Sequence, residues 1–321
     1  MVIKKKEEMI LQIFPFKRRE FWREVANNYA QIQEIRIRVE QPILIRGNGN
    51  ERFLTKEGKL VHSYREDLAY GSKMEIEEII NFLCKESIYA FTDEIGQGFL
   101  TVAGGHRVGI VGEIICNRQG KLETMKNFSS LNIRIAHEIL GVADVILPYL
   151  YGTYGLYNTL MISPPGCGKT TLLRDTIRQI SNGNKHHRGM QVGVVDERSE
   201  LGNVCGGTPQ NHIGMRTDIL DGCQKAQGMM LLLRSMGPEV IAVDELGGVD
   251  DIKATKVALQ GGCSVLATIH GNSILELKQK EYINQMIEEK IWKRYILLGK
   301  KNGQCKVIEI RDEEGELCYK L

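Results

Sequence analysis

The chain lacks an excess of charge of either sign. Lys and Arg number 42 against 40 Asp and Glu, a formal net charge of +2 over 321 residues. The balance is local as well, with 21 basic and 18 acidic residues in 1–136 and therefore 21 and 22 in 137–321. Composition thus offers no reason to expect nucleic acid or an anionic membrane as partner. No apolar run approaches the roughly 18 residues that cross a bilayer. At the start, Lys4–Lys6 precede Met9–Phe16, but Glu7 and Glu8 interrupt and no small-residue cleavage site follows. That stretch reads as an amphipathic first helix, not a signal peptide. The eight cysteines are scattered and none forms a CxxC, which argues against zinc ligation and thioredoxin-type chemistry. They are expected to be reduced, mostly buried thiols of a cytosolic protein. Proline is scarce at 7 residues. Glycine is what the chain has in plenty: 34 residues, about 11% against a usual level of about 7%. With no repeat period, that excess points to places where the backbone must come close to something.

The length and the 42% hydrophobic content suit two cores. Residues 9–30 repeat apolar positions at helical spacing (Ile10, Ile13, Phe14, Phe21, Trp22, Val25). Ile35–Val39 alternates with period two, and Pro42–Ile45 continues as a second strand. Ser72 is placed to cap a helix over 74–83. Residues 96–110 read as a hairpin turning at Gly104-Gly105. This first part, 1–135, is expected to be a smaller α+β domain. From 136 to 321 the pattern changes to strands alternating with helices: a strand at 158–162, a helix at 169–180 and a strand at 191–195. After a long Gly-rich loop come a helix ending near Arg234, a strand at 239–243, a helix over about 250–260 and a strand at 264–268. Such alternation implies a parallel sheet with helices on its faces, an α/β domain. From Arg294 the tail is expected to form two or three short strands with turns at Gly303 and Gly315.

Chemistry concentrates at Ser163-Pro164-Pro165-Gly166-Cys167-Gly168-Lys169-Thr170-Thr171, between an apolar strand and a helix. A glycine-rich turn opening a helix aims backbone N–H groups and the positive helix end at phosphate. Pro165, Gly166, Cys167, Gly168, Lys169, Thr170 and Thr171 are the candidate ATP-binding residues. Lys169 would reach the β and γ phosphates and Thr170 would ligate Mg2+. Ser163 stands where the P-loop pattern has its first glycine. Downstream, four apolar residues deliver Asp244 and Glu245 to a strand tip, Asp244 to hold Mg2+ and Glu245 to orient and deprotonate the attacking water. Two further strand tips carry polar groups: Asp196-Glu197-Arg198-Ser199-Glu200, and Ile269-His270-Gly271, where His270 could sense the γ-phosphate. In an open parallel sheet the ligand lies outside the carboxyl ends of the strands.

The segments SPPGCGKT, VVDERSE, LLLRSMGPEVIAVDE and SVLATIH, in that order, resemble the type II/IV secretion-system ATPases. DERSELGN, GMRTDILDGCQKAQGM and FTDEIGQGFLTVAGGHRVGIVGE resemble more closely the stage III sporulation branch of that superfamily. The resemblance spans nearly the whole chain. It implies a RecA-like P-loop motor domain, with Asp196, Glu197 and Glu200 as an acidic box, Arg234 as the arginine introducing the Walker B strand, Glu245 as its glutamate and His270 as a histidine box. It further implies a Mg2+-dependent ATPase in the mother cell of an endospore former. Such a protein would work as a homo-hexamer, held at the membrane through membrane proteins of a sporulation channel complex. Secretion ATPases generally carry Gly-Glu where this chain has Asp244-Glu245. Ring ATPases complete each site with a neighbour's arginine; Arg107, Arg134, Arg198, Arg216 and Arg234 are candidates. Two other readings stay open, a nucleic-acid-linked motor and an ATP-binding scaffold with little turnover. None of the seven histidines has an arginine four positions before it, so the small single-strand-binding module of some relatives is not visible here.

Overall fold

In a computed structural model, residues 8–87, 91–96, 98–116, 122–301 and 304–321 are described. The predicted turn at Gly303, Gln97 of the predicted hairpin, and Met1–Glu7 lie outside the described residues. The chain divides into two compact units. One runs to His137 and takes in Val204–Gln210; the other comprises Glu138–Asn203 and Asn211–Leu321.

The first unit begins with helical turns around α1 (Arg23–Asn27) and then forms β1 (Glu34–Arg38), β2 (Leu44–Gly47), β3 (Asn50–Leu54) and β4 (Leu60–Val61). Helices α2 (Lys73–Leu83) and α3 (Thr92–Gly96) follow, then β5 (Phe99–Val102), β6 (His106–Cys116) and β7 (Leu122–Arg134). The seven strands pair antiparallel in the order β4-β3-β2-β1-β7-β6-β5. Period-two alternation places Ile35, Ile37, Ile45, Val108, Leu131 and Ile133 in one core with Ile76, Ile79 and Ile80 of α2. The predicted cap is present, with the Glu75 N–H donating to Ser72 Oγ at 3.1 Å. The hairpin turns where expected, at Gly104 (φ +84°) and Gly105 (φ +72°). Residues 9–30 depart from a continuous helix. Pro15 has no N–H to donate and disfavours helical backbone before it, so the segment breaks into short turns, Phe16–Arg18, α1 and Tyr29–Gln31. Its apolar spacing still serves the core: Ile10, Ile13, Phe14, Trp22 and Val25 are buried, and Phe14 stacks on Trp22 at 4.2 Å. Pro42 likewise contributes only an isolated bridge to Tyr70, and β2 starts at Leu44.

The second unit opens with the small hairpin β8 (Tyr151–Gly152) and β9 (Gly155–Leu156). Then come β10 (Thr159–Ser163), α4 (Lys169–Asn182), β11 (Val192–Asp196), β12 (Thr217–Asp221), α5 (Lys225–Ser235) and β13 (Val240–Val243). It closes with α6 (Val249–Gln260), β14 (Ser264–His270), α7 (Ile274–Leu277), α8 (Glu281–Glu288), β15 (Arg294–Lys301), β16 (Gln304–Asp312) and β17 (Leu317–Lys320). The sheet order is β12-β11-β13-β14-β10-β15-β16-β17, parallel from β12 to β15 and antiparallel beyond. Every residue of β10, β11 and β13 is buried, as a parallel sheet covered on both faces requires. One face packs Met161, Val194, Ala242 and Leu266 against Leu173 and Ile177 of α4. The other packs Ile162, Val195, Val243 and Ala267 against Met229 of α5 and Ile252 of α6. Two expectations need correction. Thr217–Asp221, taken as loop, is the edge strand β12; with only Ile219 and Leu220 apolar it has little pattern to show. The tail forms three strands with the expected turn at Gly315 (φ +86°), but β15 and β16 are not short, extending the main sheet over 8 and 9 residues. The cysteines are all free, yet only Cys84, Cys167 and Cys263 are buried while Cys116 and Cys305 are exposed.

Asp175 fixes the start of this unit. It is 1% exposed on α4 and accepts the Ala143 N–H at 2.9 Å and the Arg178 guanidinium at 2.6 Å. Burial pushes its carboxyl up, but the donors from Ala143, Arg178 and Gln179 prevail and hold it below its ordinary value of 3.8. A depressed native carboxyl contributes stability that is complete above the ordinary value and is lost as the pH falls beneath it. Urea unfolding followed by circular dichroism should show Asp175→Ala less stable by about 2–4 kcal/mol at pH 7. The gap to wild type should narrow as the pH drops below about 4.

Candidate functional site

Parallel register brings four strand tips to one edge. Ser163 of β10 lies opposite His270 of β14, Val243 of β13 opposite Ala267, and Val195 of β11 opposite Val243. The residues that follow these tips therefore surround one crevice. Ser163 itself is fully buried, and its hydroxyl donates to the Pro164 carbonyl at 3.0 Å. As the last residue of a strand it needs no left-handed backbone, which is why glycine is dispensable there. Gly166 (φ +70°) and Gly168 (φ +79°) do need it. Among the described residues a Cβ at either would meet nothing within 4 Å, so conformation, not space, sets these positions. Gly168 is the N-cap of α4 and provides no side-chain cap. The first-turn amides and the positive helix end thus face outward. Pro165 is exposed, Cys167 buried and Thr171 half-buried in the first turn.

Beside this loop the polar side chains form two linked groups. Thr170 donates to Asp244 Oδ2 at 2.6 Å, and Thr268 donates to Asp244 Oδ1. The Glu245 N–H in turn donates to Thr268 Oγ1 at 2.8 Å, and the Leu246 N–H to the Thr268 carbonyl at 2.8 Å. Glu245 sits at φ +62°, a left-handed conformation costing a non-glycine residue about 1 kcal/mol or more. The bonds from Thr268 hold it there. In the second group Lys169 Nζ lies 3.2 Å from His270 Nε2. His270 Nε2 is 3.2 Å from Glu245 Oε1, and Arg198 reaches Glu245 Oε2 at 2.8 Å. One ring nitrogen cannot accept from the ammonium and donate to the carboxylate at once. His270 can therefore serve Lys169 or Glu245, and its proton decides which. Its other nitrogen, Nδ1, is buried and has no hydrogen-bond partner among the described residues.

The acidic cluster after β11 divides by role. Asp196 is 2% exposed; its oxygens accept the N–H groups of Glu200, Leu201 and Gly202, each at 2.8 Å. Burial pushes its carboxyl up. It anchors the loop and is closed to a ligand. Glu197 pairs with Lys225 at the start of α5. Glu200 is half-buried, and its carbonyl receives Arg174 NH2 at 2.7 Å while Leu201 receives Nε at 3.0 Å. Burial lowers the Arg174 guanidinium's pKa, opposed by Glu138, Asp196, Asp244 and Glu200. Arg174 was not anticipated. Its signal was its place one helical turn after Thr170, on the face that the P-loop threonine shares.

One expected residue does not join the site. Arg234 is exposed in the last turn of α5, before β13 begins. β13 then runs away from it for four residues, about 13 Å, before Asp244 is reached. A helix that returns antiparallel to a strand ends at the strand's start, so Arg234 lies at the opposite sheet edge. Among the other arginines considered for a neighbour's site, Arg198 is held by Glu245 of its own chain, and Arg216 donates to the Ser181 carbonyl at 3.0 Å. Arg107 and Arg134 face each other across β6 and β7, with Arg107 over the Phe99 ring at 4.8 Å.

Solved structures share this fold at low identity. The Legionella pneumophila ATPase DotB matches with TM-score 0.56 and 15% identity, covering 92% of this chain and 80% of that one. The pilus retraction motor PilT, solved with bound ADP, matches with TM-score 0.60 and 15% identity over 89% and 81%. The second unit accordingly has a RecA-like fold, preceded by a smaller α+β unit. In sequence the chain is 39% identical over 289 residues to stage III sporulation protein AA of Bacillus subtilis (strain 168), covering 90% of this chain and 89% of the relative. Residues 4–318 match the family described as sporulation stage III, protein AA, and the chain belongs to that family.

Proposed function

We propose that the chain is a Mg2+-dependent ATP hydrolase of the secretion-ATPase type. The observation that carries this reading is the convergence of Lys169, Thr170, Asp244, Glu245 and His270 beside the Gly166–Gly168 turn. The turn's amides and the α4 terminus would bind the phosphates, with Lys169 leaving His270 for the β and γ oxygens. Thr170 Oγ1 and Asp244 are hard oxygen donors already at 2.6 Å, a fit for Mg2+ that takes its remaining ligands from water and phosphate. Bound there, the metal would neutralise charge on the phosphates. Glu245 would orient and deprotonate water, and the left-handed backbone that Thr268 maintains aims it. His270, able to partner Lys169 or Glu245, would couple phosphate contact to the state of that base.

The family and the fold support a wider reading. The ATPase would act in the mother cell, energising or assembling a channel complex between mother cell and forespore. It would do so as a homo-hexamer whose sites are completed across subunits, reaching the membrane through partner membrane proteins. Among the described residues no helix is long and apolar enough to cross a membrane.

Steady-state ATP hydrolysis and nucleotide binding, measured side by side, test the chemistry. Lys169→Ala should lose affinity by about 100-fold. Glu245→Gln should keep binding while turnover falls by about 100- to 10000-fold. Equal rates in wild type and both variants would exclude hydrolysis at this site; binding without turnover in wild type would favour a scaffold. Thr268→Val, which keeps the shape and deletes the hydroxyl, should lower turnover at least about tenfold and stability by about 1–3 kcal/mol. Thr268→Ser should restore both.

A further inference from the structure

Cys167 lies inside the phosphate-binding turn, between the two left-handed glycines, and is 2% exposed. Cys305 comes from a distant part of the chain, the start of β16, and is exposed. Its thiol donates to the Gly166 carbonyl at 3.4 Å, which sets it beside the backbone of the residue that precedes Cys167. Lys300 stands directly opposite Cys305 in the β15–β16 ladder, and its charge acts on Cys167 as well. Packing alone does not call for this pair. An exposed strand position takes almost any residue, yet here it holds a thiol against the one turn whose shape the nucleotide reading depends on.

We propose that Cys167 and Cys305 are a modification site, a dithiol that low-molecular-weight disulfides oxidise to an intramolecular bridge, closing the cradle to nucleotide. The exposed Cys305 thiolate attacks one sulfur of the reagent R–S–S–R, forming a mixed disulfide and releasing R–S−. Cys167 then gives up its proton and attacks Cys305 Sγ, forming the protein bridge and expelling the second R–S−. The two protein thiols lose two electrons and two protons, and the reagent leaves as two thiols. The order follows from access, and burial pushes the Cys167 thiol up, which suits it to resolve rather than to initiate. Lys300 opposes that rise at Cys167. An S–S bond of about 2.05 Å is far shorter than a thiol–thiol contact, so the bridge must draw Cys167 toward β16. Gly166 and Gly168 flank it and yield most easily, turning their N–H groups from the phosphate direction. This consequence rests on the nucleotide reading above; the bridge itself does not.

The test treats the full-length chain with oxidised glutathione and follows two readouts. Mass spectrometry of unreduced peptides should find Cys167 linked to Cys305. Titration with a fluorescent ATP analogue should show affinity weakened about tenfold or more, restored by dithiothreitol. Cys305→Ser should bind the analogue as reduced wild type does and ignore glutathione. The proposal is overturned if no linked peptide forms while the exposed Cys116 is glutathionylated, or if the linked chain binds nucleotide unchanged. A reduced wild type that binds no nucleotide would instead defeat the nucleotide reading, and the cross-link would still decide whether the dithiol exists.

Discussion

The buried hydroxyl of Thr268 is the interaction on which the site depends. From the middle strand β14 it reaches the neighbouring tip of β13, donating to Asp244 and accepting the Glu245 N–H. That pair of bonds turns the end of an apolar strand into two carboxylates of different use. Asp244 is turned toward Thr170 of the P-loop helix, and Glu245 toward His270 and Arg198. Parallel pairing of β14 with β13 puts one threonine within reach of both, and β10 on the other side of β14 brings Thr170 to the same place. Strand order, strained backbone and candidate chemistry therefore hang together.

Much of this was legible in the sequence because it is local. The strand–turn–helix at 159–182 shows its glycine pattern, its apolar run and its lysine within a short window. The same holds for the capped helix at 73–83 and the hairpin at Gly104-Gly105. What escaped is non-local. Thr268 reads as one more strand residue until β14 is placed beside β13. Arg174 reads as an exposed helical arginine until the loop after β11 folds onto α4. β12 has two apolar residues and is an edge strand, so periodicity could not announce it. Pro15 outweighed an apolar helical spacing because a missing donor acts on the backbone directly. Arg234 was carried into the site by resemblance, and the direction of β13 carries it out again for its own chain.

The charges of the site are satisfied mainly by one another. Lys169, His270, Glu245 and Arg198 form a chain of contacts of 3.2, 3.2 and 2.8 Å, and the Arg174 guanidinium ties the acidic loop to the P-loop helix. Phosphate entering such a network has to exchange partners instead of filling a gap. A single histidine nitrogen that cannot serve both neighbours gives that exchange two discrete states.

The most direct measurement is a calorimetric titration of the full-length chain with ADP, with and without Mg2+. The account predicts one nucleotide bound per chain, more tightly with Mg2+ than without. Absence of binding heat at millimolar nucleotide in both conditions, or binding that survives intact in Lys169→Ala, would contradict it.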